Sequence, residues 1–154
     1  MNKKPYLIPR DGKKLDTSSY ASLEDILLNL SKLSVLENIN SITIFLDVKY
    51  INFEEATENY KYPKLSKKLC LLASSSSKET SNEIDDMKHS VFSYFLMKGL
   101  KGDAYGDDKI LEIGELAEYL YRKIPDYTKN LENGVLQNPE FIGSDLKRVL
   151  IDLR

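Results

Sequence analysis

The stretch Ser41-Ile42-Thr43-Ile44-Phe45-Leu46-Asp47-Val48-Lys49-Tyr50 constrains this chain more than any other. Apolar and β-branched residues run almost unbroken from Ile42 to Leu46, too few for an ordinary helix and without polar alternation. That pattern predicts a strand buried on both faces. The strand ends in charge, and in an open α/β sheet the groups just beyond the carboxyl ends of such strands line the ligand crevice. Asp47 and Lys49 therefore stand where chemistry would be done. Being two residues apart, they share one face of the strand and could pair.

A chain of 154 residues, 42% hydrophobic and 30% charged, suits one domain with one core. Its formal charge of -2 argues against a general nucleic-acid binder. No apolar run approaches the roughly 20 residues of a bilayer span, and the start Met1-Asn2-Lys3-Lys4-Pro5 lacks the apolar region of a signal peptide. A cytoplasmic protein without a membrane partner is the expectation. The single cysteine, Cys70, excludes an internal disulfide and a cysteine-rich metal site.

Residues 1–21 read as a short strand at Tyr6 to Ile8 followed by loop, with Lys3, Lys4, Arg10, Lys13 and Lys14 on a solvated surface. Ser22 caps a helix over residues 23–34, where Leu23, Ile26, Leu27, Leu30 and Leu33 fall at helical spacing and Glu24 and Asp25 favour the positive end. From Asn52 to Lys68 the chain is polar, and Glu54, Glu55 and Glu58 give way to lysines. It reads as a long surface loop. Leu69-Cys70-Leu71-Leu72-Ala73 is a second buried strand, in which Cys70 lies among leucines with no adjacent residue to stabilise a thiolate.

The one histidine, His89, is the chain's candidate general base and precedes the apolar face Val91, Phe92, Phe95, Leu96 and Leu100 of a helix over residues 91–100. Leu116, Leu120 and Ile124 form the stripe of a further helix that Pro125 is expected to end. Val149-Leu150-Ile151 reads as an edge strand closing the sheet, with a terminal helix from Asp145 as the alternative.

Several of these segments, in order, resemble the caspase and metacaspase-like cysteine proteases. Ile44-Phe45-Leu46-Asp47-Val48-Lys49-Tyr50 is similar to the family's nucleophile strand, with Lys49 at the position of the cysteine. Tyr6-Leu7-Ile8-Pro9-Arg10-Asp11 resembles the segment that follows the family's catalytic histidine, and Leu71 to Ser81 the strand and loop that help form its substrate pocket. His89 matches a non-catalytic turn of the family, and Gln137-Asn138-Pro139-Glu140-Phe141-Ile142-Gly143 one of its later segments. Gly99 to Ile110 resembles an EF-hand-like loop of bacterial members. Such a loop needs carboxylates at positions 1, 3 and 5, glycine at 6 and glutamate at 12. Counting from Asp103, Tyr105 falls at 3, Asp107 at 5, Asp108 at 6 and Gly114 at 12, with Glu115 one residue late, which favours a calcium-free turn.

The resemblance implies a caspase-like three-layer sandwich in partial form, a mostly parallel sheet flanked by helices. The family's first strands and the segment with the catalytic histidine are absent from residues 1–154, a single incomplete domain. It implies substrate-pocket positions at Asp47, Ser74 and Ser75, and calcium, if any, at Asp103, Asp107 and Glu115. A cysteine protease needs an activated thiolate, and a lysine ammonium beside an aspartate is a poor nucleophile. In metacaspase-like relatives the aspartate at the Asp47 position helps bind a basic substrate residue, so Lys49 would occupy that pocket from within. The expected function is a catalytically inactive pseudoprotease with a binding or regulatory role, its sheet completed by a protein partner or second chain in a homo- or heterodimer. The alternative is a small-subunit-like chain of an active cysteine endopeptidase whose nucleophile and histidine lie on another chain.

Overall fold

The computed structural model describes residues 5–8, 17–48, 62–76, 79, 81–84, 89–131 and 135–154. Tyr6–Leu7 (β1) pairs antiparallel with Ala21–Ser22 (β2), and the chain turns at once into the helix Leu23–Leu33 (α1). Ser22 caps α1 as its sequence position suggests, its hydroxyl oxygen accepting the Asp25 N–H at 3.2 Å. Ile42–Leu46 (β3) runs parallel to Leu69–Ala73 (β4), in a register that sets Ile42 beside Leu69 and Leu46 beside Ala73.

Glu83–Ile84 (β5) and His89–Ser90 (β6) form a two-residue ladder that leads into the helix Val91–Lys98 (α2). A π-type turn at Gly99–Asp103 follows, in which Gly102 takes φ 137°, a conformation that L side chains rarely adopt. Ile110–Glu112 (β7) then enters the helix Ile113–Thr128 (α3). Glu140–Ile142 (β8) returns antiparallel against β4, and Val149–Asp152 (β9) pairs antiparallel with β7.

The described residues thus form a mixed α/β fold of three α-helices and small sheets. The largest has the order β3-β4-β8. Alternate residues of β4 feed two cores. Leu71 and Ala73 join Leu46 of β3 under Leu23 and Leu27 of α1. On the opposite face, Cys70 and Leu72 pack with Val91 and Phe92 of α2 and with Leu116, Leu120 and Ile124 of α3. Burial of each such leucine or isoleucine contributes about 2 kcal/mol, so the middle strand anchors the fold.

Four expectations need correction. Among the described residues the strand expected to be buried on both faces is an edge: in β3 only Leu46 is buried and Phe45 is 37% exposed, while every side chain of β4 is fully buried. The apolar run was read correctly as a strand, but its place in the sheet depends on pairing partners distant in sequence. The sheet is not mostly parallel either, since β3–β4 is the only parallel pairing among the described strands. A parallel pair needs a long crossover, and residues 47–68 supply it here.

Pro125 does not end α3, which continues to Thr128. The ring of Tyr127 packs edge-on against Phe95 at 5.6 Å, and the buried Thr128 hydroxyl oxygen accepts the Gln137 N–H at 3.2 Å. These tertiary contacts carry the last turn past the missing N–H. The C-terminal segment is a strand, as one of the two readings had it, but it pairs with β7 in a separate ribbon and does not close the main sheet. The basic residues Lys3, Lys4, Arg10, Lys13 and Lys14, the acids Glu54, Glu55 and Glu58, and Lys49 lie outside the described residues.

Candidate functional site

The carboxyl ends of β3 and β4 meet the start of α2, and the polar side chains of this corner are knitted together. Asp47 follows directly on β3. Its exposed carboxylate accepts, at one oxygen, the hydroxyls of both Ser90 and Ser93. Ser90 is also the cap of α2, its oxygen accepting the Ser93 N–H at 2.9 Å. One carboxylate thus fixes the first turn of α2 to the end of β3 and sits near the positive end of that helix.

Ser74 and Ser75 follow directly on β4 and are fully buried. The Ser74 hydroxyl accepts the Val48 N–H at 3.2 Å and donates to the Val48 carbonyl at 3.1 Å, so it steers the chain as it leaves β3. The Ser75 hydroxyl donates to the Glu79 carbonyl at 3.3 Å. Gln137, also fully buried, donates from Nε2 to the Ser74 carbonyl at 2.8 Å and accepts the Asn82 N–H at 2.8 Å. Asn138 donates its N–H and its side-chain amide to the two carboxylate oxygens of Glu79, each at 2.6 Å. The structure therefore gathers Asp47, Ser74 and Ser75 at one end of the sheet, with Asp47 facing solvent and both serines committed to backbone groups.

Ser90, Ser93 and Gln137 were not singled out in the sequence. Ser90 carries a readable signal, a serine at the head of an apolar helical run, which is a cap pattern, whereas Ser93 carries none. Gln137 enters the sequence reading only at the head of the segment that resembles the family, and its partners here come from distant segments.

The thiol and the imidazole are not joined. Cys70, fully buried in the middle of β4, donates from Sγ to Thr43 Oγ1 at 3.6 Å and accepts a hydrogen bond from Arg148 Nη1 at 3.1 Å. The same guanidinium, 7% exposed, donates to the carbonyls of Ile42 and Lys67 at 2.9 Å each. A cation does stand beside Cys70, contrary to the reading of its sequence neighbours, but Arg148 comes from a segment far along the chain. His89 is exposed on β6, and its backbone pairs with Ile84.

A second polar place lies around the π-type turn. A cavity of about 240 Å³ is lined by Asp103, Tyr105, Glu115, Glu118, Tyr119 and Arg122, among others. Tyr119 donates its hydroxyl to Asp103 at 3.2 Å. Burial, with the Asp103 carboxylate next, pushes the Tyr119 phenol up to about 12. Glu115 accepts the Glu112 N–H at 2.9 Å as half of the capping box of α3. Asp107 does not line the cavity. Among the described residues no three acidic, histidine or cysteine side chains are grouped so as to hold a metal ion, and Asp103 and Glu115 are engaged by the chain's own donors.

No protein-family model matches this chain, and neither a curated protein nor a solved structure matches it. No described helix is long and apolar enough to cross a membrane.

Proposed function

We propose that the chain is a catalytically inactive caspase-like domain, a pseudoprotease of the caspase and metacaspase type, that binds a protein partner in the cytoplasm. The observation that carries this reading is the corner where β3 ends. An aspartate stands at the carboxyl end of a strand parallel to its neighbour, its carboxylate is taken up by two serine hydroxyls of the next helix, and the one thiol of the chain lies buried mid-strand in β4. Helices on both faces of the sheet and a last, antiparallel strand β8 agree with a partial three-layer sandwich. The lysine at the nucleophile position, read from the sequence, removes the group that would attack a peptide bond.

Incubation of the purified chain with fluorogenic peptides ending in Arg or Lys tests the reading. No turnover above buffer is expected, and hydrolysis that Cys70→Ala abolishes would overturn it. The edge position of β3 favours one element of the alternative, a second chain that extends the sheet. Intact-mass spectrometry of native material separates the two readings, because a working small-subunit-like chain would co-purify with a polypeptide that carries the missing nucleophile.

A further inference from the structure

We infer that the outer edge of β3 is a docking edge, and that its occupant is β3 of a second copy, paired antiparallel about Ile44. This inference does not depend on any relation to proteases, since it follows from the geometry of the edge.

The sequence of β3 and its surroundings disagree. Ile42-Thr43-Ile44-Phe45-Leu46 has the composition of a strand covered on both faces, and β4, with a similar apolar run, is covered completely. In β3, Ile42, Thr43 and Ile44 are only half-buried and Phe45 is exposed, although it stands beside the fully buried Leu72. On that face the helical core of α2 and α3 covers Cys70 and Leu72 of β4 and does not include Phe45. A long apolar edge of this kind is one that proteins ordinarily blunt with charge or proline, and β3 carries neither from Ile42 to Leu46.

Backbone direction selects the register. Ile42 donates its N–H to Lys68 at 2.8 Å, and Leu46 accepts the Ser74 N–H at 2.8 Å, so the even-numbered residues of β3 bond toward β4. By alternation, the N–H and C=O groups of Thr43 and Phe45 point to the outer edge. An antiparallel partner must set outward residue against outward residue, and pairing Thr43 with Phe45 of the second copy does so twice. Ile44 then meets Ile44 on the two-fold axis, and the two Phe45 rings become diagonal neighbours on the uncovered face.

Charge is complementary in the same register. The paired residues are uncharged, so no like charges oppose one another. Asp47 of one copy falls opposite Ser41 of the other, and Ser41, one position before the Ile42–Leu69 pair, lies beside Lys68, which immediately precedes β4 and whose ammonium donates to the Ile39 carbonyl at 2.9 Å. Each end of the shared ladder thus brings the acid of one copy to the lysine end of the other, about 10 Å away across two strand spacings. The product is one continuous sheet of six strands, twice the order β3-β4-β8.

Sedimentation equilibrium of the full chain from about 1 µM to about 100 µM tests the proposal, the range in which a modest strand pairing becomes populated. Self-association to twice 17.7 kDa is expected. Thr43→Pro removes an outward N–H without touching the ladder to β4, and Phe45→Lys places like charges diagonally across the axis. Both variants are expected to stay monomeric with unchanged far-ultraviolet circular dichroism. Should either fail to fold, hydrogen exchange of the unaltered protein decides: the Thr43 and Phe45 amides are expected to exchange about tenfold more slowly at the highest concentration. A chain that remains monomeric with rapid exchange at both amides, a dimer untouched by both substitutions, or association only with a different protein would overturn the proposal.

Discussion

Arg148 shows how much a single side chain holds together here. Its planar fork reaches two carbonyls and the Cys70 sulfur at once, and thereby ties the start of β3, the segment before β4 and the middle of β4 to the C-terminal loop. Arg148→Met leaves the Lys67 carbonyl without this donor and takes from the Ile42 carbonyl the bond it accepts besides the ladder to β4, and is expected to lower stability by about 1–3 kcal/mol in chemical denaturation. Arg148→Lys should recover only part of the loss, because an ammonium cannot span both carbonyls. Nothing in the sequence near Cys70 announces this arrangement, since the contact joins residues 78 apart.

Tyr119 gives a residue-scale prediction about pH. Its phenol is raised from 10.0 to about 12, so the folded chain keeps this proton where the unfolded chain releases it. The contribution is complete below about pH 10 and is lost as pH rises through about 12. Tyr119→Phe is therefore expected to flatten this part of the alkaline limb of a stability profile between these pH values, measured by denaturation at fixed temperature. An unchanged slope would show that the phenol titrates normally.

Among the elements, α1 was legible almost to the residue because its start is written locally: a serine cap, two acids and leucines at helical spacing. The other end of the argument is α3. Its proline reads as a stop, yet the helix runs on, because Tyr127 and Thr128 find partners on α2 and in the loop before β8 that no local pattern reveals. An interior proline forfeits one helical hydrogen bond and crowds the preceding turn, so Pro125→Ala is expected to raise stability by about 1 kcal/mol after allowing for the freer unfolded chain. A decrease would mean that the ring itself is packed to advantage.

The strands divide the same way. That Ile42–Leu46 and Leu69–Ala73 are strands follows from short apolar runs, and both were legible. Which of them is central is a property of the whole sheet. The order β3-β4-β8 is set by a strand 71 residues downstream of β4's own start, Glu140–Ile142, and by the crossover between Leu46 and Leu69. The site was legible to a similar depth. Asp47 was singled out by its place at a strand end, whereas the two serines that hold it sit at the cap and in the first turn of a helix whose neighbourhood only the fold supplies.

At the scale of the molecule, two features belong together. The polar corner at Asp47 is closed by internal hydrogen bonds, and no described strand pairs with the outer edge of β3. Under the proposed reading such a chain binds through its sheet and turns over no substrate at its crevice, and the buried setting of Cys70 is central to that account. Titration of Cys70 with an aromatic disulfide reagent tests it most directly, in native buffer and again in denaturant. A thiol of 0% exposure, reached only through opening of the sheet, is expected to react at least about a hundredfold more slowly in the native protein than in the unfolded chain. Rapid stoichiometric labelling of the native protein would contradict the account, because it would place a reactive sulfur where a structural one is described.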